Sequence, residues 1–312
     1  MGKLAIVFPG QGAQYVGMGQ SVFDAFESSR EVFKAGSKKL GKDLEMLCFA
    51  GTEEELRQTE NTQPTILTTS IAIFKALESV GIEADGYAGL SLGEYSALVA
   101  AGSLSYETAV AVVRERGKFM QEEVPPGKGA MAAILGMDRE VIEEVCESLN
   151  QKGVCEVANY NCPQQIVIAG EVLLVEEAVT LLKERGAKKA VMLPVSAPFH
   201  TKLLVGAGEK LRNVLNNADV DVPQKPVYTN VTAKAYTPQT DIRDTLVKQV
   251  SESVLWEDCI KSMIDDGFDT FVEVGPGNTL SKFIKKISKD VRILTVESAE
   301  EVNGLQAKLG GE

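Results

Sequence analysis

Histidine is almost missing from this chain: His200 is the only one in 312 residues, and tryptophan is as scarce, with one. Any chemistry that needs an imidazole at neutral pH has a single residue to draw on. The five cysteines, Cys48, Cys146, Cys155, Cys162 and Cys259, form no C-x-x-C pair. The common zinc and dithiol redox motifs are therefore absent, and packing is the default role for these thiols. No Gly-Lys-Ser/Thr occurs, which excludes a P-loop, and the string G-Q-G-A-Q-Y from Gly10 lacks the third glycine of a dinucleotide fingerprint. No apolar run approaches the roughly 18 residues of a membrane span, and Leu4–Phe8 ends at Pro9, too short for a secretion signal core. The opening Met-Gly is followed by Ile6 where a myristoylation motif wants Ser or Thr. Positive charge is also in deficit, with 32 Lys and Arg against 44 Asp and Glu, a net charge of −12. A general affinity for nucleic acid or anionic lipid is excluded on that balance. These absences predict a protein of the reducing cytoplasm, with no metal, no cofactor, and neither nucleic acid nor membrane as partner.

What is present is ordinary globular material, 44% hydrophobic and 24% charged, long enough for one large domain or two unequal ones. Leu4–Phe8 reads as a buried strand stopped by Pro9-Gly10. Helical apolar spacing covers Ser21 to Lys39, Pro64 to Val80 and Ser105 to Glu122, with Ser21 and Ser105 as N-caps and Gly41 and Gly81 as stops. Strands alternating with helices predict an α/β fold around a parallel sheet. From Gly129 to Val195 the pattern becomes β-α-β-β-α-β, which is the ferredoxin-like order, bounded by Pro125-Pro126-Gly127 and Pro194. A subdomain spanning 128–195 is thus expected inside a core made of 1–127 and 196–312. Beyond it, helices are expected near Thr201–Asn216, Trp256–Ile264 and Thr279–Ile287, and strands near Val227–Asn230, Thr270–Val274 and Val291–Val296.

Gly89-Leu90-Ser91-Leu92-Gly93 fits G-x-S-x-G between a short strand and the helical run Glu94–Ala101, the context of a nucleophile elbow. The glycines let neighbouring backbone approach a sharply turned serine. A serine hydroxyl needs a base within hydrogen-bond reach, and only His200, in Val195-Ser-Ala-Pro-Phe-His200, can be that base if it is an imidazole. The Gly-rich loop Phe8–Gly12 can supply a backbone N–H to a developing oxyanion, and the N–H of Leu92 a second. Arg114 and Arg116 are two apart on a helix and face different ways, so only one of them should enter a site there.

Seven segments in order carry a resemblance: FPGQGAQ at Phe8–Gln14, NTQP at Asn61–Pro64, GLSLGEY at Gly89–Tyr95, RERGKFMQ at Arg114–Gln121, ANYNCPQQIVIAG at Ala158–Gly170, VSAPFH at Val195–His200 and VEVGPG at Val272–Gly277. End to end, the chain resembles the malonyl-CoA:acyl carrier protein transacylase family. The resemblance implies an α/β-hydrolase-like core with a ferredoxin-like insertion. It assigns Ser91 as the acylated nucleophile, His200 as base, Gln11 and Leu92 as the oxyanion-hole donors, and Arg116 as the anchor of the malonyl carboxylate. It further implies that the main-chain carbonyl of Gln249 orients the histidine in place of a triad acid, and that Gln63 and Asn159 line the pocket. Phe199 should crowd the α-carbon of a methylmalonyl group. The chain departs from the commonest family string at Leu90, where a histidine often precedes the serine.

The implied reaction is ping-pong transfer of malonyl from malonyl-CoA to the thiol of acyl carrier protein, supplying fatty acid synthesis, by a monomeric enzyme without cofactor or metal. Lys282, Lys285, Lys286 and Lys289 form a basic cluster suited to an acidic carrier. Two other classes fit parts of the sequence. A serine thioesterase would share Ser91 and His200 but has no need of Arg116, and a non-catalytic carrier-binding module would have no need of the three together. An acyltransferase serving a polyketide synthase would look the same.

Overall fold

The computed structural model describes residues 2–125, 127–195 and 197–310. Its first strand, β1 (Lys3–Phe8), is apolar on both faces and becomes the centre of a five-stranded sheet. The chain then runs through α1 (Gln20–Ala25), α2 (Glu27–Leu40), α3 (Leu44–Phe49), α4 (Glu53–Arg57) and α5 (Thr59–Ser79) before β2 (Gly86–Gly89), α6 (Gly93–Ala100) and α7 (Tyr106–Glu123). A second sheet follows as β3 (Gly129–Leu135), α8 (Arg139–Asn150), β4 (Cys155–Cys162), β5 (Gln165–Glu171), α9 (Val172–Glu184) and β6 (Lys189–Met192). A 3₁₀ turn, Lys202–Leu204, and α10 (Val205–Leu215) return the chain to β7 (Val227–Tyr228), α11 (Ile242–Gln249), α12 (Trp256–Asp265), β8 (Phe268–Val274), α13 (Thr279–Ile287), β9 (Arg292–Val296) and α14 (Ala299–Gly310).

The first sheet has the order β7-β2-β1-β8-β9 and every pairing in it is parallel. The second, β4-β5-β3-β6, is antiparallel throughout and has its own core of Ile134, Ile142, Val145, Ile168 and Leu182 beneath α8 and α9. The chain is thus mixed α/β, as its pattern predicts. Pro126 and Ser196, at the two boundaries expected from sequence, lie outside the described residues.

Register explains where function can sit. Phe8 pairs with Gly89, so β1 and β2 end side by side and release Pro9-Gly10-Gln11 and Leu90-Ser91 together at the carboxyl edge of the sheet. Strand β8 ends at the same edge and leads into α13. Ligand crevices in parallel sheets open at such an edge, where chain leaves neighbouring strands in opposite directions.

Several local expectations change. The apolar run from Ser21 is broken at Phe26, whose extended backbone ends α1 and starts α2. Ser21 is not an N-cap: α1 begins at Gln20, and the Ser21 hydroxyl accepts from the Ala299 N–H instead. Ser105 does cap α7, accepting from the Thr108 N–H. Helix α5 starts at Thr59, so Pro64 lies inside it and not at the first helical position that proline favours. The short or polar helices α3, α4, α11 and α14 had no apolar period long enough to announce them.

Candidate active site

The turn between β2 and α6 holds Ser91 at φ 52°, a conformation that non-glycine residues rarely adopt. Its surroundings compel the turn. A Cβ on Gly89 would lie 1.9 Å from the backbone of Gly93, and one on Gly93 would lie 2.1 Å from the Phe8 carbonyl oxygen. Both glycines are therefore required for the close approach of strand, turn and helix. The side chain of Asn230 clamps the turn from beneath, accepting from the Ser91 N–H at 2.6 Å and donating to the Gly89 carbonyl at 2.8 Å.

His200 comes to this serine from 109 residues further along the chain. Its Nε2 lies 2.8 Å from Ser91 Oγ, and its Nδ1 lies 2.7 Å from the main-chain oxygen of Gln249. A carbonyl can only accept, so Nδ1 carries the proton and Nε2 presents a lone pair to the serine hydroxyl. That carbonyl is free because Gln249 is the last residue of α11, where helical carbonyls lack intrahelical partners. His200 is buried, and burial, reinforced by the nearby positive charge of Arg116, pushes its pKa down to about 3. The imidazole is neutral at pH 7 and ready to take a proton.

Arg116 and Arg114 diverge as their spacing requires. Arg114 donates to the Leu40 carbonyl at 3.2 Å on the outer side of α7. Arg116 is 1% exposed and points inward, donating to Gln63 Oε1 at 2.9 Å, Gln249 Oε1 at 3.0 Å and Ser91 Oγ at 3.2 Å. Its guanidinium lies over the Tyr95 ring, 5.6 Å from the centroid. Among the described residues its Nε has no partner, and no carboxylate is within ion-pair distance of it. A buried cation whose direct contacts are all neutral oxygens has no ion-pair partner, and burial lowers its pKa. Such a group has a strong demand for an anion.

The profile of the acyl transferase domain family matches residues 5–308. The chain belongs to that acyl transferase family. Among its relatives, the malonyl CoA-acyl carrier protein transacylase of Bacillus subtilis (strain 168) is 45% identical over 303 residues, 97% of this chain and 96% of the relative. The crystal structure of malonyl CoA-acyl carrier protein transacylase from Clostridium perfringens has a TM-score of 0.96 and 47% identity, covering 98% of this chain and 97% of that one. A malonyl-transacylase in complex with a type II PKS acyl-carrier protein has a TM-score of 0.95 at 38% identity, covering 98% and 99% of the two chains.

In this acyltransferase the residues singled out by sequence converge on one cavity of about 530 Å³. Gln11, Leu92, Gln63, Asn159 and Phe199 all line it with Ser91, Arg116 and His200. Gln249 is the exception. It is fully buried behind the wall and reaches the site through its carbonyl and its amide. Among the described residues neither the Gln11 nor the Leu92 N–H has a hydrogen-bond partner, and Leu92 stands at the N-terminus of α6, where the dipole adds to its donor. Leu90 also lines the cavity, so an apolar side chain occupies the position before the serine. The first turn of α13 completes the wall with Thr279, Leu280 and Phe283. That helix is fixed by buried Glu273, which accepts from the N–H groups of Leu280 at 3.0 Å and Ser281 at 2.7 Å.

Among the described residues no cluster of three or more His, Cys, Asp and Glu forms a metal-binding group, and no helix is long and apolar enough to cross a membrane. Sequence reasoning missed Asn230, Glu94 and Tyr236, which lie under the elbow. The one available signal was Glu94, a charge in the first turn of the otherwise apolar α6.

The low pKa of His200 makes a prediction about loading. An ordinary histidine would be half protonated near pH 6.5 and lose base activity below it. Here the neutral form persists, so kcat/KM for the acyl-CoA should stay level through pH 6.5 and fall only well below pH 6. An anionic acyl group on Ser91 would cancel part of the Arg116 repulsion, so the acid limb of the second half-reaction should lie at higher pH than that of the first. Separate pH profiles of the two half-reactions check this, and a shared inflection near 6.5 would contradict it.

Proposed function

We propose that this acyltransferase moves a malonyl group from malonyl-CoA to the phosphopantetheine thiol of acyl carrier protein, by a ping-pong route through an ester on Ser91, and supplies fatty acid synthesis. The single observation that carries the reading is Arg116, a buried cation with no anionic contact, opening on the cavity that holds Ser91 and His200. The relatives named above support the substrate and the carrier.

His200 Nε2 takes the proton of Ser91 Oγ as that oxygen bonds to the thioester carbonyl carbon. The carbonyl oxygen becomes an oxyanion and accepts from the Gln11 and Leu92 N–H groups. The carbon–sulfur bond then breaks, and the proton on His200 leaves with the CoA sulfur. In the second half, the carrier thiol gives its proton to His200 and attacks the ester carbonyl. Ser91 Oγ departs with that proton. Arg116 turns from neutral oxygens to the malonyl carboxylate, where a planar guanidinium forms two charge-assisted hydrogen bonds. An acetyl group leaves that charge unpaired.

In the same reading the parallel sheet, residues 1–127 and 196–312, is an α/β-hydrolase-like core, and 128–195 is a ferredoxin-like insertion. The β3-α8-β4-β5-α9-β6 succession and the sheet order β4-β5-β3-β6 support the second label. The enzyme would act as a monomer in the cytoplasm, and its five buried free cysteines suit a reducing compartment.

The testing experiment is the intact mass of the protein after brief mixing with malonyl-CoA or acetyl-CoA without acceptor. A gain of one malonyl group that maps to Ser91, with little acetyl gain, is expected. Free malonate without an adduct would make the protein a hydrolase.

Carrier docking is read onto the outer face of α13. Lys282, Lys285 and Lys286 are exposed on this helix and Lys289 just past its end, and among the described residues none is in a salt bridge. Reversing Lys285 and Lys286 to Glu should raise the KM for carrier roughly tenfold or more, since rim charges govern encounter. Malonyl-CoA loading should be unchanged. Equal losses in both half-reactions, measured separately, would refute the docking face.

A further inference from the structure

Beneath the elbow lies Glu94, a carboxylate with no exposure at all. It accepts from Gln249 Nε2 at 2.6 Å, from the Tyr236 hydroxyl at 2.5 Å and from the Asn230 N–H at 3.0 Å. Burial raises its pKa overall, while these three donors pull it the other way. Since all three neighbours donate, the ionised carboxylate, which only accepts, is the form that satisfies them.

The amide of Gln249 stands between this anion and the cation of the site. Its Nε2 donates to Glu94 and, at 3.1 Å, to the Ser91 carbonyl, while its Oε1 accepts from Arg116 Nη2 at 3.0 Å. The two ends of a glutamine amide are nearly equal in shape, so the groups on either side decide which way it faces. A carboxylate on one side and a guanidinium on the other leave one orientation, with the amide dipole aligned along the line from anion to cation.

We infer that Glu94 is the positioning residue that sets this acyltransferase's preference for a carboxylate-bearing acyl group. It does so by locking the Gln249 amide with its oxygen toward Arg116 and by keeping the compensating charge one amide away from the guanidinium. The inference rests on the malonyl-transfer reading above. The spacing matters in both directions. A carboxylate in contact with Arg116 would occupy the place of the substrate's own. With no anion nearby, the buried guanidinium would lose its compensation, and the Gln249 amide would be held on that side only by its longer contact to the Ser91 carbonyl, at 3.1 Å.

Two variants test this, Glu94→Gln and the exchange Glu94→Gln/Gln249→Glu. For each, kcat and KM for loading from malonyl-CoA and acetyl-CoA are measured beside the native enzyme, together with the melting temperature. Glu94→Gln should lower the malonyl-to-acetyl ratio of kcat/KM by roughly tenfold or more, mainly through the malonyl KM, the size of one charge-assisted contact. The exchange restores a matched donor and acceptor between positions 94 and 249, so melting should recover relative to the single variant. It also moves the negative charge against Arg116, so the malonyl preference should fall further. A ratio that survives Glu94→Gln, or that returns with the melting temperature in the exchange variant, would overturn the proposal and leave Glu94 a purely structural residue. Failure of the native enzyme to form a malonyl ester would instead overturn the reading on which the proposal rests, and the proposal with it.

Discussion

His200→Ala is expected to slow malonyl transfer by roughly 10⁴-fold, and Ser91→Ala to abolish the malonyl ester altogether. The difference follows from what each removal leaves behind. Without His200 the hydroxyl is still aimed into the cavity, Arg116 still donates to it at 3.2 Å and the Gln11 and Leu92 N–H groups remain, so weak acylation survives. Without Ser91 there is nothing to acylate. The double variant should be no slower in transfer than Ser91→Ala alone, because the two residues act as one unit. Single-turnover loading followed by intact mass separates these cases, and an undiminished ester in His200→Ala would remove the histidine from its assigned role.

Arg116→Ala should cost malonyl-CoA roughly 10²–10³ in kcat/KM, the penalty for leaving the substrate's carboxylate buried and unpaired. Acetyl-CoA should be loaded at least as well as before, since no cation is then left without an anion, and His200 loses the positive neighbour that depresses its pKa. Arg116→Lys should fall between, because an ammonium on a flexible stem cannot present the paired donors of a guanidinium. Competition between the two thioesters in one mixture gives the ratio directly. Equal losses for malonyl and acetyl would mean that Arg116 holds the fold of the pocket and selects nothing.

The site was legible in sequence where its chemistry is local or singular. Ser91 stands in a pattern whose glycines are demanded by contacts a few residues away, and His200 is the sole histidine, so neither needed a contact map. The choice between Arg114 and Arg116 was open on periodicity alone, which says that they diverge but not which faces inward. Gln249 is a different case. Its role depends on being the last residue of α11, a short helix with no strong apolar period, and on a carbonyl, which every residue has. Glu94, Asn230 and Tyr236 were invisible because the contacts that place them under the elbow span 136 to 155 residues of chain. The fold shows the same division. The strands and the alternation in 129–195 could be read from composition, whereas the break at Phe26 and the early start of α5 depend on packing against the rest of the molecule.

Helix α13 faces two ways, with Leu280 and Phe283 toward the cavity that holds Ser91 and its lysines toward solvent. Its thickness then works as a gauge of length. A helix with its side chains is about 10–12 Å across, so a thiol offered by a body resting on the lysine face must be carried at least that far on a slender tether before it meets the ester. A cysteine on a partner's own surface cannot cross that distance, however well the partner docks. With docking on that face, as proposed, acceptors would be selected by reach, independently of the charges that gather them.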